Sequence, residues 1–186
     1  MSQLASTPNE AEEDLRYPVG RLQLPADLTP AERAIRIEEL EALPHLLREA
    51  VHGLNESQLD TPYRPGGWTV RQVVHHLPDG HINGYARFRL ALTEETPVTK
   101  PYDQSKWSEL PDARLGPIEP SLNFLDGLHA RWVLLLRSLS DQQFKNVFTI
   151  PGRGEFTLDR ALALYAWHSR HHVAHIQRLR ERMGWK

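Results

Sequence analysis

Apolar residues recur at helical spacing in four separate stretches of this chain, and this periodicity limits the fold more than any other feature. In Thr29-Pro30-Ala31-Glu32 a capping threonine, a proline at the first helical position and an acidic first turn open a helix. Ile35, Leu40, Leu43, Leu46, Leu47 and Ala50 give it one apolar face as far as Leu54. After a turn-rich connection from Asn55 to Gly67, Thr69 caps a second helix carrying Val70, Val73, Val74 and Leu77. Pro78 clashes with the Val74 carbonyl and removes a hydrogen bond, which predicts a kink or break just after His76, with helix resuming through Phe88 and Leu92. Pro97 to Pro120 reads as a long surface loop. A third helix starts at about Ser121 and runs through Leu125, Trp132 and Leu139, and a short extended piece is expected between Phe144 and Gly154. Thr157 caps a fourth helix that Gly184 stops. The pattern is all-α, a four-helix bundle with its long connection between the second and third main helices; such bundles build metal sites from facing helices.

The 186 residues suit one domain. Residues 1–16 are polar and acidic without periodicity and read as a flexible tail, leaving 17–186 as the folded unit. No apolar run approaches the ~20 residues that cross a bilayer, so no membrane association is expected. A net charge of -2 offers no general attraction to nucleic acid or anionic lipid. The acidic N-terminus has neither the cations nor the apolar stretch of an export signal, which implies a cytoplasmic protein. With no cysteine, the protein has no thiolate of its own for metal binding or nucleophilic attack. Trp107 and Trp132 suit either an interface or the core.

Ten histidines are present, and their placement is uneven. His168, His171, His172 and His175 share one short stretch, and His75, His76 and His81 another, while His45, His52 and His129 stand alone and read as surface or capping residues. His168/His172 and His171/His175 both have the i, i+4 spacing that lets two imidazoles reach one ion. With Leu158 and Ile176 at the centre of the apolar stripe, His172 falls about 40° and His168 about 80° from it, against about 100° for His175 and 140° for His171. The first pair therefore faces inward. On the second helix His76 lies nearer the core than His75 by about 40°. His81 is a reserve ligand or a supporting partner of one. Imidazoles at the edge of an apolar face need partners for their ring nitrogens, which a metal supplies; a pH-sensitive surface is the other reading of the cluster.

The segments Asp60-Thr-Pro-Tyr-Arg-Pro-Gly-Gly-Trp-Thr-Val-Arg-Gln-Val-Val-His-His-Leu77 and Trp167-His-Ser-Arg-His-His-Val-Ala-His-Ile176 resemble the YfiT-like branch of the DinB superfamily. Leu92-Thr-Glu-Glu-Thr-Pro97, Trp107-Ser-Glu-Leu110 and Arg182-Met-Gly-Trp185 extend the resemblance, which runs from about Tyr17 to the end. It implies a DinB-like four-helix bundle, usually a homodimer. It also implies a metal held by the histidine before leucine in the second helix and by the first and last histidines of an H-x-x-x-H in the fourth: His76, His168 and His172 here. Pro78 departs from the family pattern, in which a small helix-former is more common at that position.

Three neutral nitrogen ligands suit one divalent zinc or nickel ion per subunit and leave a coordination place open, as catalytic sites do. Ser169 stands where an H-E-x-x-H protease has its glutamate, which argues against peptide hydrolysis. The resemblance implies two activities on small molecules. One is a bacillithiol S-transferase, in which the metal activates a low-molecular-weight thiol for attack on an electrophile. The other is a metal-dependent hydrolase of a small substrate. A metal-bound external thiolate needs no protein base, which suits this chain and favours the transferase. A metal-binding stress module without turnover is a reading from another class. Arg87, Arg89, Arg160 and Arg170 lie near the histidines in sequence but read as solvated charges.

Overall fold

The computed structural model describes residues 10–186. Among them the order is α1 (Glu10–Arg16), α2 (Pro30–Val51), α3 (Glu56–Leu59), α4 (Val70–Thr93), α5 (Gln104–Trp107), α6 (Pro111–Leu115), α7 (Glu119–Ser138), β1 (Val147–Ile150), β2 (Gly154–Thr157) and α8 (Leu158–Met183). The caps read from sequence open three of the four long helices. Thr29 accepts from the Glu32 N–H at 3.3 Å while the Glu32 carboxylate accepts from the Thr29 N–H at 2.8 Å. Thr69 and Gln72 form the same reciprocal box. Thr157 accepts from the Arg160 N–H, and Gly184, at a φ of 66° that favours glycine, ends α8.

α2, α4, α7 and α8 form the bundle, with α2 against α7 and α8 and α4 against the same two. Trp132, Phe88, Leu162 and Tyr165 fill one part of the core, and Leu47, Val73, Leu125 and Ile176 another. Trp132 is thus a core residue, whereas Trp107 is 38% exposed. Gly84 lets α4 approach closely, since a Cβ there would stand 2.4 Å from the Tyr165 ring and 2.7 Å from that of Trp132. Arg33 of α2 donates to both carboxylate oxygens of buried Asp159 on α8, at 2.6 and 3.2 Å.

Several expectations are corrected. α4 is continuous helix through Pro78, which is buried, so the chain does not break there; packing against α7 and α8 carries the helix past a residue that would interrupt it in isolation. α2 ends at Val51, because His52 leaves the helical region and Gly53 turns with a φ of 75°. The 97–120 connection contains α5 and α6, the former capped by Asp103, which accepts from the Lys106 N–H at 3.1 Å. α7 begins two residues before Ser121. The extended piece is a hairpin, β1 pairing antiparallel with β2 from Val147↔Thr157 to Ile150↔Gly154. Residues 10–16 of the expected tail are helix α1, with Arg16 in the last turn complementing the helix dipole; the rest of that tail lies outside the described residues. No helix among the described residues is long and apolar enough to cross a membrane.

Candidate metal centre

The Thr69 cap starts α4 seven residues before His76, and the Thr157 cap starts α8 so that His168 and His172 fall one turn apart on the face turned toward α4. Packing of the two helices brings His76 Nε2 to 3.1 Å from His168 Nε2. One ring nitrogen from each of His76, His168 and His172 lies within 4.8 Å of the others. Gly80, one turn beyond His76, keeps the space clear, since a Cβ there would stand 3.3 Å from the His168 ring. The donors fit a borderline-soft divalent ion. Two nitrogens each about 2.0–2.1 Å from one zinc can stand up to about 4.2 Å apart, and the His76–His168 separation falls inside that span.

Burial determines the protonation state of these rings. His76 is pushed down to about 3 by desolvation, with a smaller contribution from His171, and desolvation holds His168 and His172 well below the usual imidazole range. All three are therefore neutral near pH 7, the form that binds metal. They line a cavity of about 1000 Å³ that leaves one side of the cluster open. Arg16, Arg21, Arg64, Arg87 and Arg153 also line it, and Asp103 is the one carboxylate among the lining residues. Tyr102 reaches into it beside Gly80, its hydroxyl proton held more tightly than usual by burial.

His75 faces elsewhere. Its two ring nitrogens are taken up by Ser121 Oγ at 2.7 Å and the Gly116 carbonyl at 3.3 Å, which separates it from His76 more clearly than the helical wheel can. His81 lies behind the centre, with Nε2 at 3.1 Å from His168 Nδ1 and Nδ1 at 2.9 Å from His129 Nε2. His129, read from sequence as a surface or capping residue, is 1% exposed, and its Nδ1 lies 2.6 Å from the Leu40 carbonyl. An isolated histidine carries no local signal for this role; its position on the inner face of the third helix, three residues before Trp132, was the available hint.

His171 and His175 are also buried, although the wheel places them away from the core. A wheel sees one apolar partner, whereas α8 is covered on both faces. Tyr63 stacks on His175 with ring centroids 3.9 Å apart, the Arg16 carbonyl lies 3.3 Å from His175 Nε2, and Tyr17 stands 6.2 Å from His171, on which Trp167, one turn earlier in α8, also stacks at 4.3 Å. With His172 they make a second convergence of ring nitrogens. Of the four arginines singled out in sequence, only Arg87 lines the cavity, donating to the Tyr165 hydroxyl at 2.9 Å. Arg89 donates to the Tyr85 hydroxyl, Arg160 lies over Phe156 and Arg170 pairs with Glu39.

Comparison with known proteins places this chain among relatives. A Bacillus cereus (strain G9842) protein named "Putative metal-dependent hydrolase" is 53% identical over 172 residues, covering 92% of this chain and 99% of its own. The Bacillus subtilis (strain 168) protein of the same description, YfiT, is 52% identical over 173 residues, covering 92% and 97%. The solved structure of YfiT, described as an unusual four-helix bundle topology, superposes with a TM-score of 0.91 at 51% identity over 93% of this chain and 99% of that one. A second four-helix bundle protein, TT2238, superposes at a TM-score of 0.56 and 20% identity over 78% of this chain and 98% of its own, a likeness of fold alone. The sequence profile of the DinB superfamily matches residues 39–176, so the chain is a member of the DinB superfamily with the YfiT four-helix bundle.

Proposed function

We propose that the protein is a metal-dependent enzyme acting on small molecules: a transferase that joins a low-molecular-weight thiol, bacillithiol or one like it, to an electrophile, with one zinc or nickel ion held by His76, His168 and His172. The observation that carries this reading is the convergence of three neutral imidazoles at a cavity whose walls hold five arginines and a single carboxylate. When bound there, a divalent ion deprotonates a coordinated thiol outright, or lowers the pKa of a coordinated water to about 7. The chain's own residues supply orientation and charge. The guanidinium groups neutralise carboxylates on an anionic thiol, and Trp68, whose ring centroid lies 4.5 Å from that of His76, closes one wall of the centre against water.

The histidines that would hold the ion have their lone pairs committed to it, and Ser169 is not free to act as a general base. Ser169, in the place of a zincin glutamate, is buried and donates its hydroxyl hydrogen back to the Tyr165 carbonyl at 2.8 Å. This suits an external thiol, which loses its proton on coordination and needs no base. Hydrolysis of a small substrate is the second reading, favoured by the names of the relatives. Elemental analysis of gently purified protein, followed by assay of bacillithiol consumption against monochlorobimane on the same sample, tests the proposal. Near one zinc or nickel per chain, thiol transfer, and loss of both in the His168→Ala/His172→Ala variant are expected. Metal with ester or amide cleavage but no thiol transfer points to the hydrolase; metal with neither activity points to a binding module; metal retained in the double variant overturns the ligand assignment.

A further inference from the structure

We infer that His129 and His81 are positioning residues that fix the tautomer of His168 from the Leu40 backbone carbonyl, so that its Nε2 lone pair is presented to the cavity. The order of hydrogens follows from one end of the chain of contacts. A carbonyl oxygen only accepts, so His129 Nδ1, 2.6 Å from Leu40 O, carries the hydrogen. A neutral imidazole has one N–H, which leaves His129 Nε2 as the acceptor for His81 Nδ1–H at 2.9 Å. His81 Nε2 is then the acceptor for His168 Nδ1–H at 3.1 Å. His168 Nε2 is left bare, 3.1 Å from His76 Nε2. Reversal of any one ring would set two hydrogens or two lone pairs face to face, in a place where His81 is 0% and His129 1% exposed and bulk solvent does not reach.

The anchor is itself a consequence of sequence. Leu40 lies in α2, where its carbonyl would ordinarily accept from the N–H four residues on, but that residue is Pro44, which has none. The helix thus leaves the Leu40 oxygen to His129. Each of the four long helices contributes one link: Leu40 from α2, His129 from α7, His81 from α4 and His168 from α8. The order of hydrogens stands without any metal; its consequence for metal affinity rests on the ligand assignment proposed above. Partners of this kind behind a metal-bound imidazole typically contribute about 10- to 100-fold in affinity.

Long-range 1H–15N correlation spectra of the metal-free, 15N-labelled protein read the tautomers directly. We expect Nδ1–H and a bare Nε2 at both His168 and His129. An Nε2–H His168 in the wild type overturns the inference. His129→Gln keeps a donor for Leu40 and an acceptor for His81, and is expected to preserve the His168 tautomer and zinc affinity within a few-fold. His129→Leu removes the acceptor, and is expected to mix the His81 and His168 tautomers and to weaken zinc binding about 10- to 100-fold with helical circular dichroism retained. Tautomers and affinity unchanged in His129→Leu would overturn it. Should that variant not fold, Pro44→Ala returns a competing N–H to Leu40 and should move the His129 Nδ1 proton upfield; an unmoved proton counts against the carbonyl anchor. A wild type that binds no metal but shows the expected tautomers refutes the ligand assignment and leaves the relay standing.

Discussion

At the scale of single residues, spacing was informative where both partners lie on one helix. His168 and His172 are paired by i, i+4 geometry, which any helix imposes. His129 has no such local partner. Its contacts, His81 and Leu40, lie 48 and 89 residues away in sequence, and its place near Trp132 on the inner face of the helix hints at burial but not at the partners. Gly84 is a second residue whose role depends on distant neighbours. Its missing side chain leaves room for Tyr165 and Trp132, two large rings that have little freedom to move, so Gly84→Ala should destabilise the protein by about 1–3 kcal/mol despite alanine's better helix propensity. Urea denaturation checks this; a variant as stable as wild type would show that the helices can part without cost.

Among the elements, caps were legible and interruptions were not. Thr29, Thr69 and Thr157 act through bonds three residues long, so the sequence alone locates them. Pro78 and Pro44 lie inside long helices because tertiary burial outweighs the local cost of a lost hydrogen bond. The short helices α5 and α6 escaped notice for the reverse reason: four and five residues are too few to show a period. α2 is fastened to α8 by the Arg33–Asp159 pair, whose side chains are 7% and 0% exposed. The guanidinium and the Lys145 ammonium hold the Asp159 carboxyl below its usual range against the opposing effect of burial. Asp159→Ala takes away the buried partner of Arg33 and leaves it only the largely exposed Asp141, so it should cost up to about 3–5 kcal/mol. A loss below about 1 kcal/mol in urea titration would mean that water reaches Arg33 once the carboxylate is gone.

For the whole molecule, the buried histidines couple folding to pH. Burial lowers His129 and His175 to about 4 and His171 to about 3, against 6.5 when unfolded. Between 6.5 and those values the unfolded chain binds more protons than the native one, so stability rises with pH there and is lost as pH falls. Each such ring contributes up to about 1.4 kcal/mol per pH unit across its window. Asp79, raised to about 6 by burial and then by Asp112, acts in the opposite sense but is one group against several. The urea midpoint of the metal-free protein should therefore drop steeply from pH 6.5 to 4.5; a flat profile would show that the rings are solvated. What the sequence by itself determined is local: four helices, most of their caps, an H-x-x-x-H on one face of α8, and a family likeness carried by short motifs. The wheel and the family likeness already preferred His76 to His75 and set His81 near the pair; the tertiary structure added the Ser121 and Gly116 contacts that hold His75 away, and it alone decided that His129 stands behind His81 and that arginines from separate segments wall the cavity. Helical periodicity reports which face of each helix is apolar, but not how far one helix is slid along another, and that offset is what sets ring nitrogens 92 residues apart in sequence within 3.1 Å of each other.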